Sequence, residues 1–143
     1  MEIEEKLRIL KSLDTKGLIQ KLHQYEAELE KAMTDEAKFK GQNHDYLGSG
    51  DCQAVKKILA ELAAQAPSTK EAGKKTTVAD REAWLQKQRI ENKELSAAIA
   101  KQQGVAFLVD DHEIKVEMAR RRLTSATVVL ALKTQQLAFL ASW

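Results

Sequence analysis

Residues 77–141 read TVADREAWLQKQRIENKELSAAIAKQQGVAFLVDDHEIKVEMARRRLTSATVVLALKTQQLAFLA, and the spacing of their apolar side chains decides the fold. Every seventh residue gives Leu95, Gln102, Val109, Val116, Leu123, Leu130 and Leu137. A companion series gives Val78, Leu85, Asn92, Ile99, Ala106, Glu113, Arg120, Thr127, Thr134 and Ala141. Both series hold one phase throughout, the mark of a helix with a seam of side chains along one side. The pattern predicts one continuous helix from Val78 to near the C-terminus, on the order of 95 Å long at about 1.5 Å per residue. Gly104 is the one place inside it where a bend is permitted. Thr77 followed by Asp80 resembles a capping box and sets the start.

Upstream, Pro67 to Thr76 is Ser, Thr, Lys, Gly and Ala without apolar periodicity, and reads as a flexible connection. Before it, Asp51 is placed to cap a helix over 51–66, in which Val55, Ile58, Leu59 and Leu62 share a face. The stretch Gly41-Gln42-Asn43-His44-Asp45-Tyr46-Leu47-Gly48-Ser49-Gly50 gathers turn formers and reads as a loop. Residues 2–40 carry Ile3, Leu7 and Leu10, then Leu18, Leu22, Tyr25, Leu29 and Ala32. The phase slips between the two groups at Asp14-Thr15-Lys16-Gly17, which predicts a kink near 14–17.

A chain of 143 residues with 43% hydrophobic, 31% charged and only 5% aromatic residues suits helices packed through Leu, Ile, Val and Ala. The expected fold is all-α: one domain over 1–143, an elongated antiparallel helical bundle or coiled coil with one long C-terminal helix. Thr124 to Trp143 carries apolar side chains on more than one face and a single charge, Lys133. That points to burial by several neighbours rather than to a membrane span, because seven Ser, Thr and Gln side chains interrupt it. One chain has too little surface to cover such a helix. A homo-oligomer, as a dimer, is therefore expected through Val109, Val116, Leu123, Leu130, Leu137, Phe139 and Leu140.

The formal net charge of +2 sets no strong field. Two basic clusters are still candidates for nucleic-acid contact: Lys70, Lys74 and Lys75 in the connection, and Arg120, Arg121 and Arg122 on the long helix. Glu113 and Glu117 stand one turn earlier, spaced to pair with Arg120 and Arg121. Asp110, Glu113 and Glu117, beside Asp111 and His112, share a face that could hold a metal, but the Glu-x-x-His pairing of bundle metal sites is not repeated, and a solvated acidic face accounts for them. The one cysteine, Cys52, fits a reducing compartment, and its distance from His44 in sequence gives no ground for a nucleophile and base. No phosphate-loop, dinucleotide, zinc-hydrolase or serine-hydrolase motif occurs. The reading is of a protein without catalysis, metal or cofactor, working in the cytoplasm without an export signal.

Arg81-Glu82-Ala83-Trp84-Leu85, Gln88, Asn92 and Leu95, then Glu117-Met118-Ala119, Leu123 and Leu130-Ala131-Leu132-Lys133, resemble short helical proteins encoded in bacteriophage or prophage early gene clusters. The resemblance covers roughly the C-terminal half. It implies an accessory role around phage DNA replication or recombination. The function expected is thus a coiled-coil scaffold or protein-interaction module that self-associates and meets a protein partner, with no membrane involved. A nucleic-acid-binding accessory is the alternative, and a metal-binding or enzymatic helical protein a second one.

Overall fold

The computed structural model describes residues 2–12, 15–67 and 73–142. Within them the chain is all-α, with α1 at Ile3–Ser12, α2 at Thr15–Gln42, a short 3-10 turn at His44–Tyr46, α3 at Gln53–Gln65, α4 at Val78–Glu91 and α5 at Lys93–Ala141. Contacts divide it into two compact units, Phe39–Asp110 and Met1–Lys38 with Asp111–Trp143. Each is built differently.

The unit Phe39–Asp110 closes around Cys52, Val55, Leu62, Leu95 and Ala98, with Tyr46, Ile58, Leu59, Trp84, Leu85 and Ile99 packed against them. Leu95 and Val55 are fully enclosed. Helices α3, α4 and α5 each supply one apolar stripe, as their three-and-four spacing requires. The chain reaches this core through the segment Gly48–Gly50, whose two glycines hold φ of 108° and 73°, a left-handed backbone that favours glycine. Gly41, expected in the loop, is still helical, and α2 runs to Gln42. The Thr76 hydroxyl donates to the Pro67 carbonyl at 2.9 Å, drawing together the ends of the expected connection; residues 68–72 of it lie outside the described residues.

Two helix starts differ in how they are made. At α4 the expected capping box is present, the Thr77 hydroxyl accepting from the Asp80 amide and the Asp80 carboxylate from the Thr77 amide. At α3 the expected cap is not: Cys52 occupies the cap position without a side-chain bond, and Asp51 is turned instead to Arg89. A guanidinium offering two parallel donors outcompetes a single backbone amide.

The long helix expected from Val78 is two helices. The break falls at Asn92 rather than Gly104, with φ −77° and ψ 117°. Asn92 closes one helix and opens the next: its amide donates to the Gln88 carbonyl at 2.8 Å, and its side-chain oxygen accepts from the Leu95 amide at 3.0 Å. A polar residue placed in the heptad as a core position is thus a shared cap, the role for which a short amide side chain is best suited. Gly104 stays helical.

In the unit Met1–Lys38 with Asp111–Trp143, Leu18, Leu22, Tyr25, Leu29 and Ala32 of α2 are half-buried, as the stripe predicts. Of the residues at the expected kink, Thr15, Lys16 and Gly17 belong to α2, and Asp14 lies outside the described residues. Arg122 of α5 reaches Glu28 of α2 at 3.8 Å, and Leu18, Lys21 and Tyr25 share a groove with Arg121, Ser125, Ala126 and Val129.

On α5 the first heptad series faces inward, with Leu95 and Val116 buried and Gln102, Val109, Leu123, Leu130 and Leu137 half-buried. The companion series does so only at Ile99, which packs against the Phe39–Asp110 core. Glu113, Arg120, Thr127 and Thr134 are exposed, and the second covered row lies three residues after the first instead of four, with Ala98, Val105, Ala119 and Leu140 buried and His112, Ala126 and Lys133 half-buried. A three-residue and a four-residue step are both helical neighbours. This row is rich in alanine, whose small side chain gives little hydrophobic signal yet lets a neighbouring element approach closely. Thr124, Thr127 and Thr134 satisfy their hydroxyls on the carbonyls of Arg120, Leu123 and Leu130, four residues back in their own helix.

Candidate functional site

Because the inner rows of α5 are covered, its opposite side should be polar. It is not. In Asp111–Trp143, Ile114 is 59% exposed, Met118 51%, Val128 54%, Leu132 55% and Phe139 59%. Ile114, Met118, Val128 and Leu132 follow one another at steps of four, ten and four, with Arg121 and Ser125 filling the gap at three and four. Together they trace a second stripe along the helix, on the side away from Val116 and Ala119. Five large apolar side chains held in water on one face mark an interaction surface.

Of the residues expected at an oligomer contact, Val116 and Leu140 are buried within the chain and Val109, Leu123, Leu130 and Leu137 are half-buried. Only Phe139 points outward among them. Ile114, Met118, Val128 and Leu132 escaped the heptad reading because it followed one seam. The spread of apolar residues around Thr124 to Trp143 is the sequence signal of a second face, although apolar character on several sides is equally the mark of burial by neighbours. By length and composition α5 also contains one window apolar enough to cross a membrane.

The arginine cluster is largely neutralised. Glu117 takes the Arg121 guanidinium at 3.0 Å and Arg120 at 3.9 Å, while Arg122 has Glu28. Lys115 holds Asp111 at 2.9 Å, one turn back. Lys74 and Lys75 are exposed, and Lys70 lies outside the described residues. Among the described residues no three His, Cys, Asp or Glu side chains stand together as a metal would need; Glu117 is committed to arginines instead. Cys52 is buried in the Phe39–Asp110 core.

That same unit contains the most specific polar arrangement in the chain. The Gln102 amide nitrogen donates to the carbonyls of Gly48 at 3.3 Å and Gly50 at 2.5 Å, and its oxygen accepts from the Cys52 amide at 3.4 Å. One side chain so fixes both ends of the glycine segment. Lys101 lies over the Tyr46 ring at 4.4 Å, one helical position away. Beside it Arg89 makes its two-donor bond to Asp51, at 3.0 and 2.8 Å. Hydrogen bonding from Arg89 holds the Asp51 carboxyl below its ordinary range against the opposing effect of burial, and the bond to Asp51 raises Arg89 in turn. These groups satisfy one another and brace a loop; none is aimed at open space for a substrate. The outward stripe on α5 is the stronger candidate site. No protein-family model, curated protein or solved structure matches the chain.

Proposed function

We propose that this protein is a non-catalytic helical interaction module that self-associates through the outward face of α5 and serves as a scaffold for a protein partner. One observation carries the reading: Ile114, Met118, Val128, Leu132 and Phe139 form an exposed apolar face on a helix whose other side is already packed. Covering a large apolar side chain contributes roughly 1.5 to 3 kcal/mol, so a few of them suffice to drive association at micromolar concentration. The resemblance of the C-terminal half to helical phage proteins supports a setting beside DNA processing in the cytoplasm. Nucleic-acid binding is less well supported, since Arg120, Arg121 and Arg122 have acidic partners.

Light scattering on the gel-filtered protein tests this. The expected mass is twice the 16.0 kDa of one chain, and Met118→Glu with Leu132→Glu should weaken association at least tenfold with unchanged helicity. A wild-type monomer at micromolar concentration overturns the proposal. Capture of that monomer by phospholipid vesicles would assign the face to a membrane; salt-sensitive binding of DNA would favour the basic clusters.

A further inference from the structure

We infer that the second copy lies antiparallel on this face, about a two-fold axis at the level of Leu123. This rests on the self-association reading and specifies its geometry. Read along α5, this face runs through half-buried Asp111 and then the exposed Ile114, Met118, Arg121, Ser125, Val128, Leu132 and Gln135. Their character runs polar, apolar, apolar, polar, polar, apolar, apolar, polar, and their steps run three, four, three, four, three, four, three. Both sequences read the same backwards. A second copy of the helix docked antiparallel therefore places Ile114 against Leu132, Met118 against Val128, Arg121 against Ser125 and Asp111 against Gln135, each pair equidistant from position 123.

This is what an isologous contact requires, where residue i meets j and j meets i. An unrelated partner places no such demand on the pattern. The polar pairs decide between orientations. Arg121 offers only donors and Ser125 a hydroxyl that accepts; Asp111 offers acceptors and the Gln135 amide a donor. In a parallel, in-register pair the same positions would set Arg121 against Arg121 and Asp111 against Asp111 of the other copy, like charges at a desolvated seam. The arginines nearest the axis bring their own counter-charges, Glu117 for Arg121 and Glu28 for Arg122, which lowers the cost of bringing two copies together there.

Nitroxide labels on two exposed positions flanking the stripe measure the geometry without altering it. In the full-length chain carrying Cys52→Ala, labels are attached to Thr124→Cys or Ala138→Cys, and the distance between copies is read by pulsed electron resonance. The antiparallel pair predicts a short distance at 124, near the interaxial spacing of about 10 Å widened by the labels. It predicts a long one at 138, about 45 Å for the 30 residues of helical rise between 138 and its mirror position 108. Short distances at both positions in a dimer overturn the antiparallel geometry while leaving self-association standing. A monomer by light scattering overturns both.

Discussion

The unit Phe39–Asp110 and the unit of Met1–Lys38 with Asp111–Trp143 are both helical, yet they are held by different means. The first encloses Leu95 and Val55 completely and adds long-range polar bonds, with Gln102 reaching across about fifty residues of sequence to Gly50 and Arg89 to Asp51. In the second, α2 contributes no buried residue, and its described ion pairs other than Arg122–Glu28 lie within single helices. Pairs of that kind, exposed and three or four residues apart, contribute a few tenths of a kcal/mol. A self-contained core needs no help, whereas a helix pair with half-buried rows and an apolar outer face gains most from a second copy.

The sharpest way to break this contrast is to remove the same side chain from each unit. Leu95→Ala empties a fully enclosed site and should cost about 3 to 5 kcal/mol in chemical denaturation, while Leu123→Ala, at a half-buried site, should cost about 1 to 2. Equal losses would mean that the second unit is as well packed as the first. The polar contribution is next. Gln102→Leu deletes two bonds to the glycine segment and leaves the Cys52 amide without its side-chain acceptor, a loss of about 2 kcal/mol. Hydrogen exchange at the Cys52 amide should accelerate by at least tenfold, and unchanged exchange would deny Gln102 its bracing role.

Asp51 gives the same comparison a pH axis. Its folded pKa lies below the unfolded value because Arg89 bonds the carboxylate. The stabilisation is therefore complete above the unfolded carboxylate range, near pH 4, and lost as pH falls through the lower folded value. Since the side chains are 35% and 28% exposed, solvent screening limits it to about 1 kcal/mol. Asp51→Asn should lose that amount at pH 7 and progressively less as pH falls below about 4, read as the difference between denaturation midpoints of the two proteins. A constant difference across this range would show that the charge is not what holds the pair.

Much of this was legible in the residues, and what was not has physical reasons. The capping box at Thr77 and Asp80, the helix ending at Gln65 and the row Leu95 to Leu137 rest on local spacing, which a sequence displays directly. Asn92 did not, since an amide in heptad phase is compatible with both a core position and a cap, and only backbone geometry separates them. Asp51 had two suitors, a local amide and a distant arginine; sequence shows the first alone. The outer face of α5 was half visible: its apolar residues are plain, but whether Ile114 and Leu132 meet solvent or a neighbour depends on which of two opposed stripes the rest of the chain covers.

The smallest expected effect tests that choice of stripe. Arg120 belongs to the four-residue companion row and is exposed, with Glu117 at 3.9 Å, whereas its neighbour Ala119 is buried in the three-residue row. Arg120→Ala removes a long ion pair in water, worth about 0.5 kcal/mol or less, and alanine recovers a similar amount through its helix propensity. The thermal midpoint should barely move. Ala119→Arg places a charge and a long side chain where a neighbouring element packs closely, and the cost of an uncompensated charge there is several kcal/mol. Two substitutions at adjacent positions, one silent and one disruptive, would fix the rotation of α5 about its own axis, and with it the direction in which Met118 and Leu132 point. Equal sensitivity at both positions would return Arg120 to the core and remove the outward stripe on which self-association rests.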